Sequence, residues 1–166
     1  MYTRPLVPDG FAVPERLEGD GFHLRMLTIH DLVKDFDAVM TSSDELVGRM
    51  DPSSDWPLGL TLEEDLIDLA WHQREFTLGH SFAYTVMTPD EETCLGCVYL
   101  NPTGSPHHDV QVFYWVRTSM LAQGLDERLG GAVRAWLAQS WPFARVAYPG
   151  REIAWEDWSL SAEPWE

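Results

Sequence analysis

Val110-Gln-Val-Phe-Tyr-Trp-Val-Arg-Thr-Ser-Met-Leu-Ala-Gln-Gly-Leu-Asp-Glu-Arg-Leu-Gly-Gly-Ala-Val-Arg-Ala-Trp-Leu-Ala-Gln139 is the stretch that decides the fold. Its first part, Val110 to Val116, is β-branched and aromatic and reads as a strand. From Asp126 to Gln139 the period changes, because Leu125, Leu129, Val133, Trp136 and Leu137 recur at helical spacing. Thr118 to Leu125 joins the two as an irregular connection. Trp141-Pro142 ends the helix, Arg145 to Tyr148 is a short strand, and Pro149-Gly150 breaks it. Strand, helix and strand in that order predict a crossover with one parallel strand pair. The turn Leu121-Ala-Gln-Gly-Leu-Asp126 carries the chemical interest. A helix start offers unpaired N–H groups and the positive end of a dipole, so this turn is where a ligand's phosphates would sit.

Working outward, Phe22 to Leu27 alternates as a strand. Leu32, Phe36, Val39 and Met40 then recur at helical spacing. Asp51 to Gly59, with Pro52 and Pro57, is a loop. Thr61-Leu-Glu-Glu64 is a capping box opening a second helix. Leu62, Leu66 and Leu69 are expected on its apolar face, with Glu63, Asp65 and Asp68 turned away. Gly79 is its terminator. Ser81 to Thr88 is a strand with Phe82, Tyr84 and Val86 on one side. Pro89 to Glu92 turns, and Cys94 to Leu100 returns. Asn101 to Asp109 is loop. The order β-α-α-β-β-β-α-β predicts an α+β fold, a mixed, mostly antiparallel sheet flanked by helices.

The chain's 166 residues suit one domain on the prior of roughly 150 residues each, with residues 1–20 as an N-terminal extension and 149–166 as a tail. Hydrophobic residues make up 45%, enough for a core without disulfide or metal staples. No stretch approaches the roughly 20 apolar residues of a membrane helix. The first residues, with Pro5, Pro8 and Pro14, lack the apolar run of a signal peptide, so a cytoplasmic home is expected. The net charge of −16 repels nucleic acid and anionic membranes. It suits either a solvated acidic surface or attraction of a basic partner or amine substrate.

Cys94 and Cys97 have the spacing of a redox or zinc pair. On a strand, however, residues three apart point to opposite faces, so the two read as small buried hydrophobes. No metal site is expected. His107-His108-Asp109 reads as a polar loop tip or as a source of a proton acceptor, and His72 as a structural histidine.

The segment from Val112 to Leu129 resembles the acyl-CoA-binding segment of the GNAT N-acetyltransferase superfamily, in particular the branch that acetylates protein N-termini. The element order from Phe22 to about Tyr148 matches as well. The resemblance implies that acetyl-CoA is the co-substrate and that the acceptor is a small-molecule or peptide amine. It places the coenzyme on Val116, Arg117, Leu121, Ala122, Gln123, Gly124, Leu125, Asp126 and Arg128, with the pyrophosphate on Gly124 and the backbone of Gln123 to Asp126, an oxyanion donor from a backbone N–H near Val116, and Arg117 and Arg128 flanking the loop. Gly124 stands at the family's central glycine. Leu121 stands where Gln or Arg is usual, and Asp126 where Gly or Ala is usual. Asp126 suits a helix start as a cap but opposes a phosphate there.

Acyl transfer to an amine needs a proton acceptor, oxyanion donors and a proton for the leaving thiolate. The family's glutamate falls at Gln111, which cannot take a proton. Asp109, with His108 or His107 beside it, is then the expected base, and Tyr148 or Tyr114 the acid. The family's C-terminal region looks shortened here. The tail holds Trp155, Trp158 and Trp165 among Glu152, Glu156, Asp157, Glu163 and Glu166. It is expected to fold back on the domain, to fill the slot where the resemblance puts the coenzyme, or to form a dimer contact. The acidic loop around Asp51, Asp55 and Trp56 would rim the acceptor pocket. Leu121, Asp126 and Gln111 equally suit an alternative, a domain of this fold that binds a partner without catalysing transfer.

Overall fold

The computed structural model describes residue 2 and residues 4–161, with side chains as far as Trp158. Strand β1 is Arg16–Glu18 and β2 is His23–Met26. A 3-10 turn at Ile29–Asp31 leads into helices α1 (Leu32–Met40), α2 (Ser43–Leu46) and α3 (Leu62–Leu78). Strands β3 (Phe82–Met87), β4 (Cys94–Asn101) and β5 (Val110–Val116) follow. A second 3-10 turn, Thr118–Gln123, enters α4 (Leu125–Ser140), and β6 (Val146–Ala147) and α5 (Trp155–Ser161) complete the described chain.

The sheet runs β1-β2-β3-β4-β5-β6 in space. Every pair is antiparallel except β5–β6, which is parallel with α4 as its crossover. The expected α+β fold is therefore the observed one, extended by β1, α2 and α5. The central strands are buried on both faces because helices cover both. Phe82, Tyr84 and Val86 meet Leu125, Leu129, Val133, Trp136 and Leu137 of α4 on one face. Leu27, Ala38, Val39, Leu69 and Trp115 form the second cluster on the α1–α3 face. The Thr61–Glu64 capping box and the left-handed Gly79 bound α3 as the sequence predicts.

Two expectations are corrected. On α3, Leu62 and Leu66 are exposed, while Asp65 is buried at 2% exposure. The inward stripe is Asp65, Leu69, His72 and Phe76, spaced four, three and four apart, so the helix is rotated to put a carboxylate inside. The two cysteines also lie on one face, not two, since both join the α1–α3 cluster while Leu95 joins the other. The cause is a bulge. Val86 pairs with Gly96 but Met87 pairs with Cys94, and the extra residue resets the alternation. Both thiols are nonetheless free and buried, as expected of structural cysteines. Among the described residues no group of His, Cys, Asp and Glu has the geometry of a metal site. No described helix is long and apolar enough to cross a membrane.

One edge of the sheet positions the site. β5 and β6 pair only at Val110–Val146 and Gln111–Ala147. Beyond those pairs the strands part, leaving backbone groups of β5 without a neighbouring strand.

Candidate active site

Two cavities meet beneath that divergence, and Met50 and Phe113 line both. The first, about 260 Å³, is the slot between β5 and the chain leaving β6. The second, about 250 Å³, lies on the α1–α3 face.

Two residues of the slot's lining, Arg49 and Arg151, reach the turn picked out by sequence through Asp126. Gly124 adopts φ +72°, a left-handed conformation that favours glycine, and this lets the 3-10 turn pass directly into α4. No side chain caps α4, so its first N–H groups are available. The expectation that Asp126 caps the helix is therefore corrected. Its carboxylate instead accepts two hydrogen bonds from Arg151, from Nη1 and Nη2 at 2.9 Å each, and a longer one from Arg49 at 3.4 Å. A bidentate charged fork outcompetes a single backbone amide. Burial opposes the charge on Asp126, but Arg151 and Arg49 hold its carboxyl below the usual range. Arg151 Nη2 also donates to the Tyr114 carbonyl at 2.9 Å, one of the groups left open where β6 departs. Its guanidinium lies 3.5 Å from the centre of the Tyr114 ring.

The tail does enter this slot. Pro149, Gly150, Arg151 and Trp155 form its far wall. The Trp155 indole stacks on Phe113 and closes over Gly150, where a Cβ would lie 2.5 Å from the indole nitrogen. Trp158 is buried against His108. Trp165 lies outside the described residues.

The other expected coenzyme contacts divide. Val116 ends β5 opposite Gly96. Arg117 is turned to α1, donating to Asp37 at 2.7 Å and to the Cys94 carbonyl at 3.0 Å. Arg128 donates to the Gln123 carbonyl at 2.6 Å, bracing the turn from outside. Leu121, Ala122, Gln123 and Leu125 lie in the turn, with Leu125 buried.

The expected acid–base residues stand elsewhere. Asp109 precedes β5, roughly 20 Å along the strand from the turn. Its carboxylate accepts the backbone N–H groups of Ala144 (3.0 Å) and Arg145 (2.8 Å) and the Arg145 guanidinium (2.7 Å). Those bonds hold its carboxyl below the usual range and clamp the start of β6. His108 pairs with Ser105 Oγ at 3.0 Å. Tyr148 is buried with its ring over Arg134 at 4.1 Å, and burial pushes its hydroxyl up to about 12. None of the three lines either cavity.

Carboxylates that the sequence reading set aside line the second cavity. Asp35 comes from α1, and Asp65 and Asp68 from α3. Asp35 and Asp65 are 3% and 2% exposed. Burial raises both carboxyls above the usual range. Asp35 is raised further by Asp65, and Asp65 by Asp68. Each proton is thus held more tightly at this pair than at an ordinary aspartate. Cys97 Sγ donates to Asp35 at 3.5 Å, whereas Oδ2 of Asp65 is enclosed with no hydrogen-bond donor among the described residues. His72 does not supply a cation, because burial pushes it down to about 4. Its ring lies 5.3 Å from that of Tyr99, whose hydroxyl accepts from Trp115 Nε1 at 3.1 Å. Trp56, from the loop expected at the rim, forms part of the wall. Asp35 was legible in principle, because it follows Leu32 by three and precedes Val39 by four, on the inward face of α1.

No family model matches the sequence, and no curated protein does. The fold has clear relatives. RimL, a ribosomal L7/L12 alpha-N-protein acetyltransferase solved with coenzyme A, superposes with a TM-score of 0.61 at 18% identity, covering 75% of this chain and 68% of its own. Ribosomal-protein-S5-alanine acetyltransferase from Vibrio fischeri gives 0.65 at 18% identity, over 82% and 75%. A GNAT-family acetyltransferase from Bacillus anthracis gives 0.57 at 13% identity, over 79% and 70%. The chain thus has the GNAT acetyltransferase fold. At these identities the likeness speaks for architecture.

Proposed function

We propose that the protein transfers an acyl group, acetyl in the simplest case, from coenzyme A to an amine. The observation that carries this reading is the meeting of the two cavities at Met50 and Phe113. A slot lined by two arginines, both bonded to Asp126 at an uncapped helix start, adjoins a pocket lined by three carboxyls and no cation. That RimL, which shares this fold, was solved with coenzyme A supports coenzyme A as the donor.

The residues fit the coenzyme on two counts and oppose it on one. The α4 N–H groups and the guanidiniums of Arg49 and Arg151 suit a diphosphate. Asp126 is a competing anion already bound to both guanidiniums. Coenzyme A would supply an acyl carbon activated as a thioester. The acidic cavity draws in the acceptor's ammonium. Asp65 with Asp35 takes the proton that this ammonium loses before its nitrogen attacks. The raised affinity of the pair for protons suits that task near neutral pH. Asp109 and His108, the base expected from the sequence, line neither cavity and are engaged by Arg145 and Ser105, which favours the aspartate pair for this role.

The bridge Arg151–Asp126 favours a second reading, a domain of this fold that binds without catalysing. One experiment separates the two. Thiol release from acetyl-CoA in the presence of an alkylamine, abolished in Asp35→Asn, is the result expected of a transferase. No release, together with no rise in melting temperature at millimolar acetyl-CoA, would leave the binding module.

A further inference from the structure

The acidic cavity does not end at Asp65. Asp68 lies one helical turn further on, about 5–6 Å away between Cβ atoms. Asp68 and Trp56 also line an adjoining depression, together with Asp55 and Glu64. Carboxylates therefore run in a line from the enclosed Asp35–Asp65 pair to the rim. Met50, Leu69 and Trp56 give the same cavity its apolar wall. The buried end is marked independently by Oδ2 of Asp65, which has no hydrogen-bond donor among the described residues. A buried carboxylate oxygen without a donor is costly unless a ligand supplies one. Among the described residues, Lys, Arg and charged His are missing from both linings, so no cation there neutralises this line.

Resting on the transferase reading above, we infer that the acceptor is a small aliphatic amine with a second cationic centre. One ammonium sits at Asp65 and Asp35, the alkyl stem lies along Met50, Leu69 and Trp56, and the second ammonium meets Asp68, with Asp55 and Glu64 beyond. A monoamine satisfies only the deep end. A cavity of about 250 Å³ admits a short alkyl chain. The aromatic rings of Trp56, Tyr99 and Phe113 add favourable faces for a cation.

The test is calorimetric titration of the full chain, without coenzyme, using 1,5-diaminopentane and pentylamine. The two probes share a stem and differ by one ammonium. The diamine is expected to bind about tenfold tighter or more, the gain from one further charge pair at a partly exposed site. In the double variant Asp68→Asn/Glu64→Gln that preference should collapse while pentylamine binding persists. Gln at position 64 keeps the capping box of α3 intact. Raising salt from about 50 to about 300 mM should weaken the diamine more than the monoamine. Equal binding of the two probes, or an unchanged preference in the double variant, would overturn the inference. So would a lysine-bearing peptide that binds tighter than the diamine, because the acceptor would then be a protein segment. Failure of the transferase reading looks different, as preferential diamine binding with no thiol release from acetyl-CoA.

Discussion

Asp126→Asn should weaken the empty protein and strengthen its hold on coenzyme A. The carboxylate and the Arg151 guanidinium are 22% and 21% exposed, between a surface pair and a buried one. Exposed pairs contribute up to about 1 kcal/mol, and breaking a fully buried one costs about 3–5 kcal/mol. A loss of about 1–3 kcal/mol is therefore expected. In a domain of this size each kcal/mol moves the melting temperature by about 2–4 °C, giving a fall of roughly 2–12 °C. Coenzyme binding should move the other way. Removing a unit charge about 4 Å from a phosphate relieves about 1–4 kcal/mol, or roughly a ten- to thousandfold gain in affinity. The same change releases Arg49 and Arg151 to meet that phosphate. Scanning fluorimetry reads the first effect and titration with acetyl-CoA the second. Equal or weaker acetyl-CoA binding by the variant would refute the argument, because Asp126 would then be a scaffold for the two arginines and not their competitor.

Three further outcomes follow from other parts of the molecule. Asp35 holds its proton more tightly folded than unfolded, so wild-type stability falls as pH rises above the ordinary aspartate value of 3.8. Asp35→Asn escapes that loss, so its melting temperature should overtake the wild type's increasingly from acid to neutral pH, while transfer falls about a hundredfold or more; a constant difference across pH would count against the buried pair. Glu91 is the opposite case, lowered to about 2 chiefly by Arg25, against burial, with His23 helping. Its contribution is present above 4.5 and lost as pH falls towards 2, so Glu91→Gln should melt lower at pH 7 and converge with the wild type in acid. Gly96→Ala would place a Cβ 2.0 Å from the Trp115 carbonyl, a backbone atom that cannot rotate away. It should cost about 1–3 kcal/mol by denaturant titration, and an unchanged midpoint would show that β4 and β5 are not held as described.

The strand–turn–helix was legible because its signals are local. A change of period from 2 to 3.6, a glycine at the turn and a proline after the helix each act within a few residues. The α+β order, the capping box at Thr61 and the left-handed Gly79 followed from the same kind of signal. The rotation of α3 did not. Its outward leucines and inward aspartate reverse a rule that averages over ordinary cores, and here the buried position serves a pocket. The shared face of Cys94 and Cys97 was hidden too, because a bulge depends on how two strands pair.

What the sequence by itself determined is the architecture and the strand–turn–helix that puts Gly124 at the start of α4. Only the tertiary structure decided what surrounds that place. Arg49 and Arg151 come from segments 77 and 25 residues away from Asp126, and they meet it because β6 parts from β5. Asp35 and Asp65 become buried neighbours with raised proton affinity because α1 and α3 pack on the same face of the sheet. Charge chemistry of this kind is set by burial and by neighbours distant in the chain, and neither is written in any local pattern.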